Sequence, residues 1–302
     1  MKLLSTFKIT KGFECWLKMY KEIEPHLNEF GIDLLWAGIN ISETQVYDIT
    51  EVKNPSKFEF LTKRDDITAR RAKTGVKLHS HVVIDGHTSI GANCEVFPFA
   101  VLGANPQHTK YEGEPSVLHI GKNCVIREHV TMHPGTAIDA MQTLVGDNGL
   151  FFAGAHVAHD CVIGDNVIFA NNAALGGHVK IGDYAMLGGF AAVQQWCRVG
   201  AHSMIGAHSL VNADVIPYAI AAGNRVTLSG INVVGLERRG FCPETILRLR
   251  HLFRSLIRGS GLFAKRLAMA EKKFSGVAEC DAVFEFIKNA GRNGVCQAYK
   301  RP

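Results

Sequence analysis

Residues 145–211 have the sequence VGDNGLFFAGAHVAHDCVIGDNVIFANNAALGGHVKIGDYAMLGGFAAVQQWCRVGAHSMIGAHSLV. Every sixth residue from Val145 to Val211 is apolar, twelve in succession, in a chain that is only 47% hydrophobic. A period of six fits neither an α-helix nor a single β-strand, and it is typical of a hexapeptide-repeat β-helix. We therefore predict that three hexads form one coil of 18 residues, so that residues i and i+18 lie side by side on successive coils.

The same spacing starts well before residue 145, and two polar stretches interrupt it. The earlier grid positions are Leu78, Ile84, Ile90, Val96, Leu102, Ile120, Ile126, Met132 and Ile138. Residues 105–117 are expected to project from the coils as a loop, and residues 134–143 shift the register by one residue. Glycine often follows the grid aliphatic, where we expect a turn conformation that is easiest without a Cβ. The β-helix is expected to cover residues 77–232, and both interruptions are candidates for functional loops.

The chain on either side of the β-helix follows other patterns. Residues 1–76 are expected to form a small α+β domain of ferredoxin-like order, in which we find no catalytic constellation. Its predicted strands are residues 6–10, 32–39 and 44–52, and its predicted helices are residues 11–30, 55–61 and 65–73. Residues 233–302 are expected to be helical, with Pro243 in a first helical turn. The predicted apolar stripe of that helix is Ile246, Leu249, Phe253, Leu256 and Ile257.

Arginines lie elsewhere around the same predicted helix: Arg248, Arg250, Arg254 and Arg258. They form either a solvated face or a docking surface for an acidic carrier protein, and the sequence leaves both open. A formal net charge of +5 over 302 residues, with no basic run interleaved with aromatic residues, disfavours nucleic-acid binding. No apolar stretch approaches the roughly 18 residues of a membrane span, and we expect a cytoplasmic protein.

The eight cysteines form neither a disulfide framework nor a metal-binding spacing. Four of them come four residues after a grid aliphatic, in a slot otherwise filled by alanine, valine or serine: Cys94, Cys124, Cys161 and Cys197. This slot suits a small side chain that points inward, so we expect buried free thiols.

Twelve of the 14 histidines lie in the β-helix region, and the densest cluster is HVAHDC at residues 156–161. An 18-residue coil places His159 beside Gly177, and Asp160 beside His178. A histidine base, an orienting carboxylate and an exposed backbone amide are the parts of an acyl-transfer site. We therefore predict acyl-transfer chemistry at this cluster.

Two other uses of the histidines stay open. His156, His159 and Asp160 are a conceivable zinc site, although their spacing specifies no ligand set. A histidine on a β-helix face can also simply form a hydrogen bond across coils or across a subunit interface. We prefer this interpretation for three residues: His87, His119 and His202.

Three segments closely resemble the UDP-N-acetylglucosamine O-acyltransferases of lipid A biosynthesis. They are HVAHDCVIGDNVIFANNAALGGHV (156–179), AAVQQWCRVGAHSMIGAHS (191–209) and IPYAIAAGNRVTLSGINVVGLERRGF (216–241). The resemblance covers residues 78–302 and implies a mainly β fold, a left-handed parallel β-helix that forms a homotrimer with active sites between adjacent subunits. It implies transfer of an (R)-3-hydroxyacyl chain from acyl carrier protein to the 3-hydroxyl of UDP-N-acetylglucosamine, without a metal or other cofactor.

The resemblance also implies roles for single residues. His159 is the general base, Asp160 holds its imidazole, and the Gly177 N–H contacts the oxyanion. The substrate-binding positions by similarity are His156, His178, Gln107, Lys110, His133, Gln195, Asn232, Arg238 and Arg239. Ala207 matches the position that limits acyl length, and its small side chain suggests a long chain.

The chain also departs from the family pattern. Its β-helix begins later than is usual, with the α+β domain in the place of the first coils. His108 and Gln194 stand where aspartate and histidine are common. Because the position of His108 approaches the sugar 3-substituent, N-acylation of a 3-amino sugar stays an alternative, as does a non-catalytic β-helix scaffold.

Overall fold

The six-residue grid forms a parallel β-helix in the computed structural model of the chain. The structure describes residues 75–298 continuously and, before them, residues 2–8, 14, 17, 18, 20–22, 24, 25, 32–39 and 45–52. The chain divides into two compact units, Met1–Lys73 and Thr74–Pro302. The second unit holds the β-helix together with the C-terminal helices, and the finer division into three domains stays a prediction.

Short strands stack into three sheets, one for each face of the β-helix. The first face consists of β4 (Lys77–Leu78), β7 (Glu95–Val96), β10 (Val125–Ile126), β13 (Leu150–Phe151), β16 (Ile168–Phe169), β19 (Met186–Leu187), β22 (Met204–Ile205), β24 (Ala219–Ala222) and the antiparallel β25 (Thr227–Ile231). The second face consists of β5 (Val83–Ile84), β8 (Val101–Leu102), β11 (Thr131–Met132), β14 (His156–Val157), β17 (Ala174–Leu175), β20 (Ala192–Val193) and β23 (Leu210–Val211). The third face consists of β6 (His87–Ile90), β9 (Val117–Ile120), β12 (Gln142–Val145), β15 (Val162–Ile163), β18 (Lys180–Ile181) and β21 (Arg198–Val199).

We name the turns between faces by their order along each coil. The first corner joins the first face to the second, the second corner joins the second face to the third, and the third corner leads to the next coil. Both interruptions of the grid leave the β-helix at the second corner, as residues 103–116 after β8 and residues 133–141 after β11. The predicted loop at residues 105–117 is thereby confirmed to within two residues at each end.

Grid residues fill the interior of the β-helix as predicted. Phe151, Phe169 and Leu187 are fully buried, and so are the four cysteines of the small-residue slot, which are free thiols. Ile138 was expected on the grid, but it is 51% exposed because it belongs to the projecting residues 133–141.

The expected reason for glycine after the grid aliphatic is wrong. The left-handed φ occurs three residues after the grid aliphatic, where Asn166 has φ 57° and Tyr184 has φ 58°. Gly164 and Gly182, directly after the aliphatic, have no left-handed φ. A Cβ on Gly182 would instead lie 2.5 Å from the backbone nitrogen of Ala201 on the next coil. Glycine is therefore required by the close approach of successive coils.

The histidines at the surface of the β-helix have two kinds of contact. His119 shares a hydrogen bond of 2.6 Å with Ser89 Oγ across coils, as predicted. The prediction is wrong for His202, which is stacked between Tyr184 and Tyr218 and whose buried Nδ1 has no hydrogen-bond partner among the described residues. Burial, with the charge of Arg239, lowers the pKa of His202 to about 4. For His87, which is exposed on β6, the interpretation stays a prediction.

Four helices follow the β-helix: α1 (Val233–Arg238), α2 (Pro243–Ile257), α3 (Phe263–Phe274) and α4 (Ala278–Lys288). The α2 helix begins at Pro243 as predicted, and its whole apolar stripe is buried. After α4 the chain returns to the last coil, where buried Asp214 forms an ion pair of 2.8 Å with Arg198 and accepts the Gly291 N–H. No helix in the described part of the chain is long and apolar enough to cross a membrane.

The strands of the first unit form an antiparallel sheet with β3 in the centre: β1 (Lys2–Lys8), β2 (Ile32–Ile39) and β3 (Gln45–Val52). The predictions for β2 and β3 are confirmed. The prediction for β1 began four residues too late, because pairing with β3 starts at Lys2, opposite Glu51. Helical residues between 14 and 25 fall inside the predicted helix 11–30, whereas the helices predicted at 55–61 and 65–73 lie outside the described residues.

The account of glycine can be tested with a matched pair of variants at the third corner. We expect Gly182→Ala to lower the free energy of unfolding by about 1–3 kcal/mol, because the new Cβ must displace the next coil. Asn166→Gly, at a left-handed position, should change it by about 1 kcal/mol or less. Urea unfolding followed by circular dichroism measures both. A Gly182→Ala protein as stable as wild type would contradict the close-approach explanation.

Candidate active site

The second corner carries the predicted chemistry on successive coils. Asp160, His178 and Trp196 occupy equivalent turn positions one coil apart, and all three have a left-handed φ, between 58° and 66°. His159 lies directly before Asp160, and a Cβ placed on Gly177 would collide with its imidazole. The predicted neighbours at a separation of 18 residues are thus in contact, because the coil length is constant here.

His159 and Asp160 form a buried imidazole–carboxylate pair. His159 Nδ1 lies 2.8 Å from Asp160 Oδ2, and both residues are less than 5% exposed. The Thr136 N–H donates to Asp160 Oδ1 at 2.9 Å, and its hydroxyl donates to Oδ2 at 2.7 Å. Burial alone would raise the pKa of Asp160, but the hydrogen bonds from His159 and Thr136 hold this pKa below its usual value. An ionised Asp160 keeps the proton on His159 Nδ1 and leaves Nε2 free to act as a base.

His178 forms a second pair of this kind. Its Nδ1 lies 2.9 Å from Asp139 Oδ2 and 3.9 Å from Asp160 Oδ2. Its ring is stacked on Trp196, with centroids 3.8 Å apart, and meets the His159 ring edge-on at 5.0 Å. Sequence reasoning missed three of these groups: Thr136, Asp139 and Trp196. The available signal for the first two was their place in a polar segment that leaves the grid.

Two further histidines line the coils before His159. His133 is buried, its Nδ1 donates to the Ala104 carbonyl at 2.9 Å, and its Nε2 has no hydrogen-bond partner among the described residues. His156 shares a hydrogen bond of 2.7 Å with Thr131 Oγ1. Burial, followed by the nearby charges of His133 and His159, lowers the pKa of His156 to about 4. His156 is therefore neutral near pH 7.

The loop of residues 103–116 also reaches this corner. The His108 ring lies edge-on to His159, with centroids 5.0 Å apart, and its Nδ1 accepts the Lys110 N–H at 3.2 Å. The side chains of Lys110 and Gln107 are exposed on the same loop. Gln195 is exposed next to Trp196.

The remaining predicted residues lie away from the second corner. Asn232 caps α1, since its Oδ1 accepts the Gly235 N–H at 3.2 Å, while its Nδ2 donates to the His202 carbonyl at 2.9 Å. Arg239 donates to the Tyr184 carbonyl at 2.9 Å. These residues belong to the third corner, together with the exposed Arg238. Their predicted role in nucleotide binding stays a prediction.

Ala207 is exposed at the first corner, close in sequence to His208, which stacks on Phe190. Phe190 is itself 56% exposed, so this corner presents an apolar surface. The predicted site residues of one chain are consequently distributed over all three corners of the β-helix, and only the second corner brings the acid–base groups together.

One group of side chains in the described part of the chain has the proximity of a metal site. Its possible ligand atoms, from His159, Asp160 and His178, lie within 4.8 Å of one another. Each carboxylate oxygen of Asp160 already accepts a hydrogen bond, and His178 Nδ1 is bonded to Asp139. His156 is not part of the group. We therefore favour acid–base chemistry at this cluster, and the expectation of no metal stays a prediction.

Comparison with known proteins agrees with the fold and the site. Residues 214–296 match the family model described as UDP-N-acetylglucosamine O-acyltransferase, domain 2. Over 222 residues the chain is 52% identical to the acyl-[acyl-carrier-protein]–UDP-N-acetylglucosamine O-acyltransferase of Caulobacter vibrioides, covering 74% of this chain and 84% of that protein. The enzyme of the same name from Mesorhizobium japonicum is 54% identical, covering 72% of this chain and 78% of that protein.

The crystal structure of LpxA from Acinetobacter baumannii is similar as well, with a TM-score of 0.72 and 38% identity over 74% of this chain and 87% of that one. Its fold is a left-handed parallel β-helix, which confirms the predicted handedness. The identity to curated relatives extends over most of their length and includes the β-helix fold that positions His159 and Asp160. The chain belongs to the UDP-N-acetylglucosamine O-acyltransferase family.

Proposed function

We propose that this protein transfers an (R)-3-hydroxyacyl chain from acyl carrier protein to the 3-hydroxyl of UDP-N-acetylglucosamine, the first step of lipid A biosynthesis. The observation that carries the proposal is the buried His159–Asp160 pair against the backbone of Gly177. The names of the relatives give both substrates, acyl carrier protein and UDP-N-acetylglucosamine.

The geometry supports a general-base mechanism. His159 Nε2 takes the proton of the sugar 3-hydroxyl while the oxygen attacks the thioester carbonyl, and Asp160 stabilises the resulting imidazolium. The Gly177 N–H forms no hydrogen bond to the described residues, so it is available to the oxyanion. Collapse of the intermediate breaks the carbon–sulfur bond, and the thiolate leaves with a proton from His159. Every step uses groups of the protein and its two substrates.

The distribution of the site residues supports a shared active site in a homotrimer. Ala207 at the first corner and Arg239 at the third corner lie on other edges of the β-helix than His159. A second copy of the chain brings such edges against the second corner, where Ala207 would limit acyl length. Arg239 suits a nucleotide diphosphate, because its Nη1 is buried without a partner among the described residues. The exposed Phe190 fits burial between subunits.

A basic surface supports docking of the acidic carrier protein. Arg250, Arg254 and Arg258 are four residues apart on α2, so they share one face of the helix. They line a groove of about 190 Å³ beside Ser229 and Gly230. Of the two uses left open for these arginines, the groove favours docking, since a solvated face needs no concavity.

His108 favours a second candidate function, N-acylation of a 3-amino UDP-sugar. It lies 5.0 Å from the ring of His159 and so borders the position of the attacking group. A non-catalytic scaffold is the third possibility, and the intact His159–Asp160–Thr136 network argues against it. We place the protein in the cytoplasm, where its two substrates are made, and leave the role of residues 1–76 open.

Removal of the proposed base tests the activity. We expect His159→Ala to lower the rate of acyl transfer by about 10²–10⁴-fold, the usual contribution of a general base. The assay follows transfer from (R)-3-hydroxyacyl-acyl carrier protein to UDP-N-acetylglucosamine. His119→Ala, which removes an exposed histidine on the third face, is the matched control and should keep wild-type turnover. Near-normal activity of His159→Ala would refute the assignment.

The acceptor is tested by competition. UDP-N-acetylglucosamine and its 3-amino analogue are offered together in equal amounts, and mass spectrometry measures the two products. The proposed function predicts a preference for the hydroxyl sugar in wild type. A preference for the amino sugar that disappears in His108→Asp would instead establish the second candidate function.

Charge reversal tests the docking surface. We expect the double substitution Arg250→Glu and Arg254→Glu to raise KM for acyl-acyl carrier protein by about 10-fold or more, because opposite charges no longer steer association. Turnover with a short acyl-pantetheine thioester should not change. Lys265→Glu on α3 makes an equal charge change away from the groove and serves as the control. Equal effects with both donors would contradict docking at this surface.

A further inference from the structure

His178 is fixed by two different contacts on two sides of its ring. The stack on Trp196 is nearly parallel, with an interplanar angle of 8°. Arg292 lies over Trp196, with its guanidinium carbon 4.1 Å from the indole centroid. Trp196 is therefore held between the two side chains, and it sets the plane of the His178 ring.

A stack sets the plane of an imidazole but not its flip. Rotation by 180° keeps the ring on Trp196 and exchanges the position of Nδ1 with that of a carbon. The hydrogen bond to Asp139 distinguishes the two flips, because only one of them directs Nδ1 to the carboxylate at 2.9 Å. In that flip Nε2 forms no hydrogen bond to the described residues. Nε2 is thus the nitrogen that His178 offers to a substrate.

We propose that Asp139 is a positioning residue for acyl transfer, which acts by holding His178 in the one ring flip that presents Nε2 to the substrates. This inference rests on the proposed function. It assigns a purpose to residues 133–141: Thr136 orients Asp160 and, through it, His159, while Asp139 orients His178. One projecting segment therefore aligns both imidazoles of the site.

The environment of Asp139 separates positioning from a structural role. Its side chain is 43% exposed, whereas that of His178 is 5% exposed. An exposed carboxylate contributes little to stability, so its loss should leave the fold intact. The charged or titratable groups nearest His178 are Asp139, Asp160 and His159. Only Asp139 comes from outside the stacked coils, and it can be removed without disturbing the coil register.

A double-mutant cycle tests the inference on the full chain. The four proteins are wild type, Asp139→Ala, His178→Ala and the double variant, assayed for acyl transfer with both substrates. We expect Asp139→Ala to lower kcat/KM by about 10- to 100-fold, as is usual when the group that orients a functional histidine is removed. In the His178→Ala background the same substitution should cost about 2-fold or less, because Asp139 then has nothing to orient.

Controls separate the possible outcomes. Glu285→Ala, an exposed carboxylate on α4, should keep wild-type kinetics, and melting curves should show Asp139→Ala folded. Asp139→Leu keeps most of the volume without the hydrogen bond and replaces Asp139→Ala in the cycle if that variant melts below the assay temperature. Wild-type kinetics of the Asp139 variant, or an equal loss in both backgrounds, would overturn the positioning role. Absence of transfer by wild type would instead overturn the proposed function, and the inference with it.

Discussion

The close stacking of successive coils is the constraint on which the rest of the structure depends. Each coil donates backbone hydrogen bonds to the next, as when the Gly164 N–H bonds to the Ile181 carbonyl at 2.8 Å. Coils about 4.8 Å apart leave no space for a Cβ at the position after the grid aliphatic. The same spacing forces equivalent side chains to meet, so each corner carries a column of like contacts. At the third corner Asn123 shares amide hydrogen bonds with Asn93 and Asn148.

The site arises where this stacking meets residues from outside it. Stacking alone sets Asp160 against His178 and His159 against Gly177, but it supplies no partner for the far side of the carboxylate or for His178 Nδ1. Residues 133–141 supply both, through Thr136 and Asp139. A rigid column therefore fixes the spacing of the reacting groups, and a projecting segment fixes their orientation. Loops carried by a rigid scaffold commonly divide the work in this way.

Predictability from sequence follows the same boundary. Within the coils, the contact of His159 with Gly177 and the burial of Cys161 follow from counting residues, since period determines position. Beyond the grid counting fails, and Ile138 was misplaced while Thr136 and Asp139 were missed. Period also says nothing of φ, so the glycine positions were correct and their explanation was not.

The late start of the β-helix is compatible with an intact site because stability in a repeat fold is local. Each coil contacts only its neighbours, so the effect of a missing coil decays along the stack. Leu78 and Ile84 in the first coil are 45% and 41% exposed, whereas their equivalents one coil later, Val96 and Leu102, are fully buried. One coil is thus enough to restore the interior. His159 lies further along the stack than these residues, so the chemistry of the second corner does not depend on what precedes Lys77.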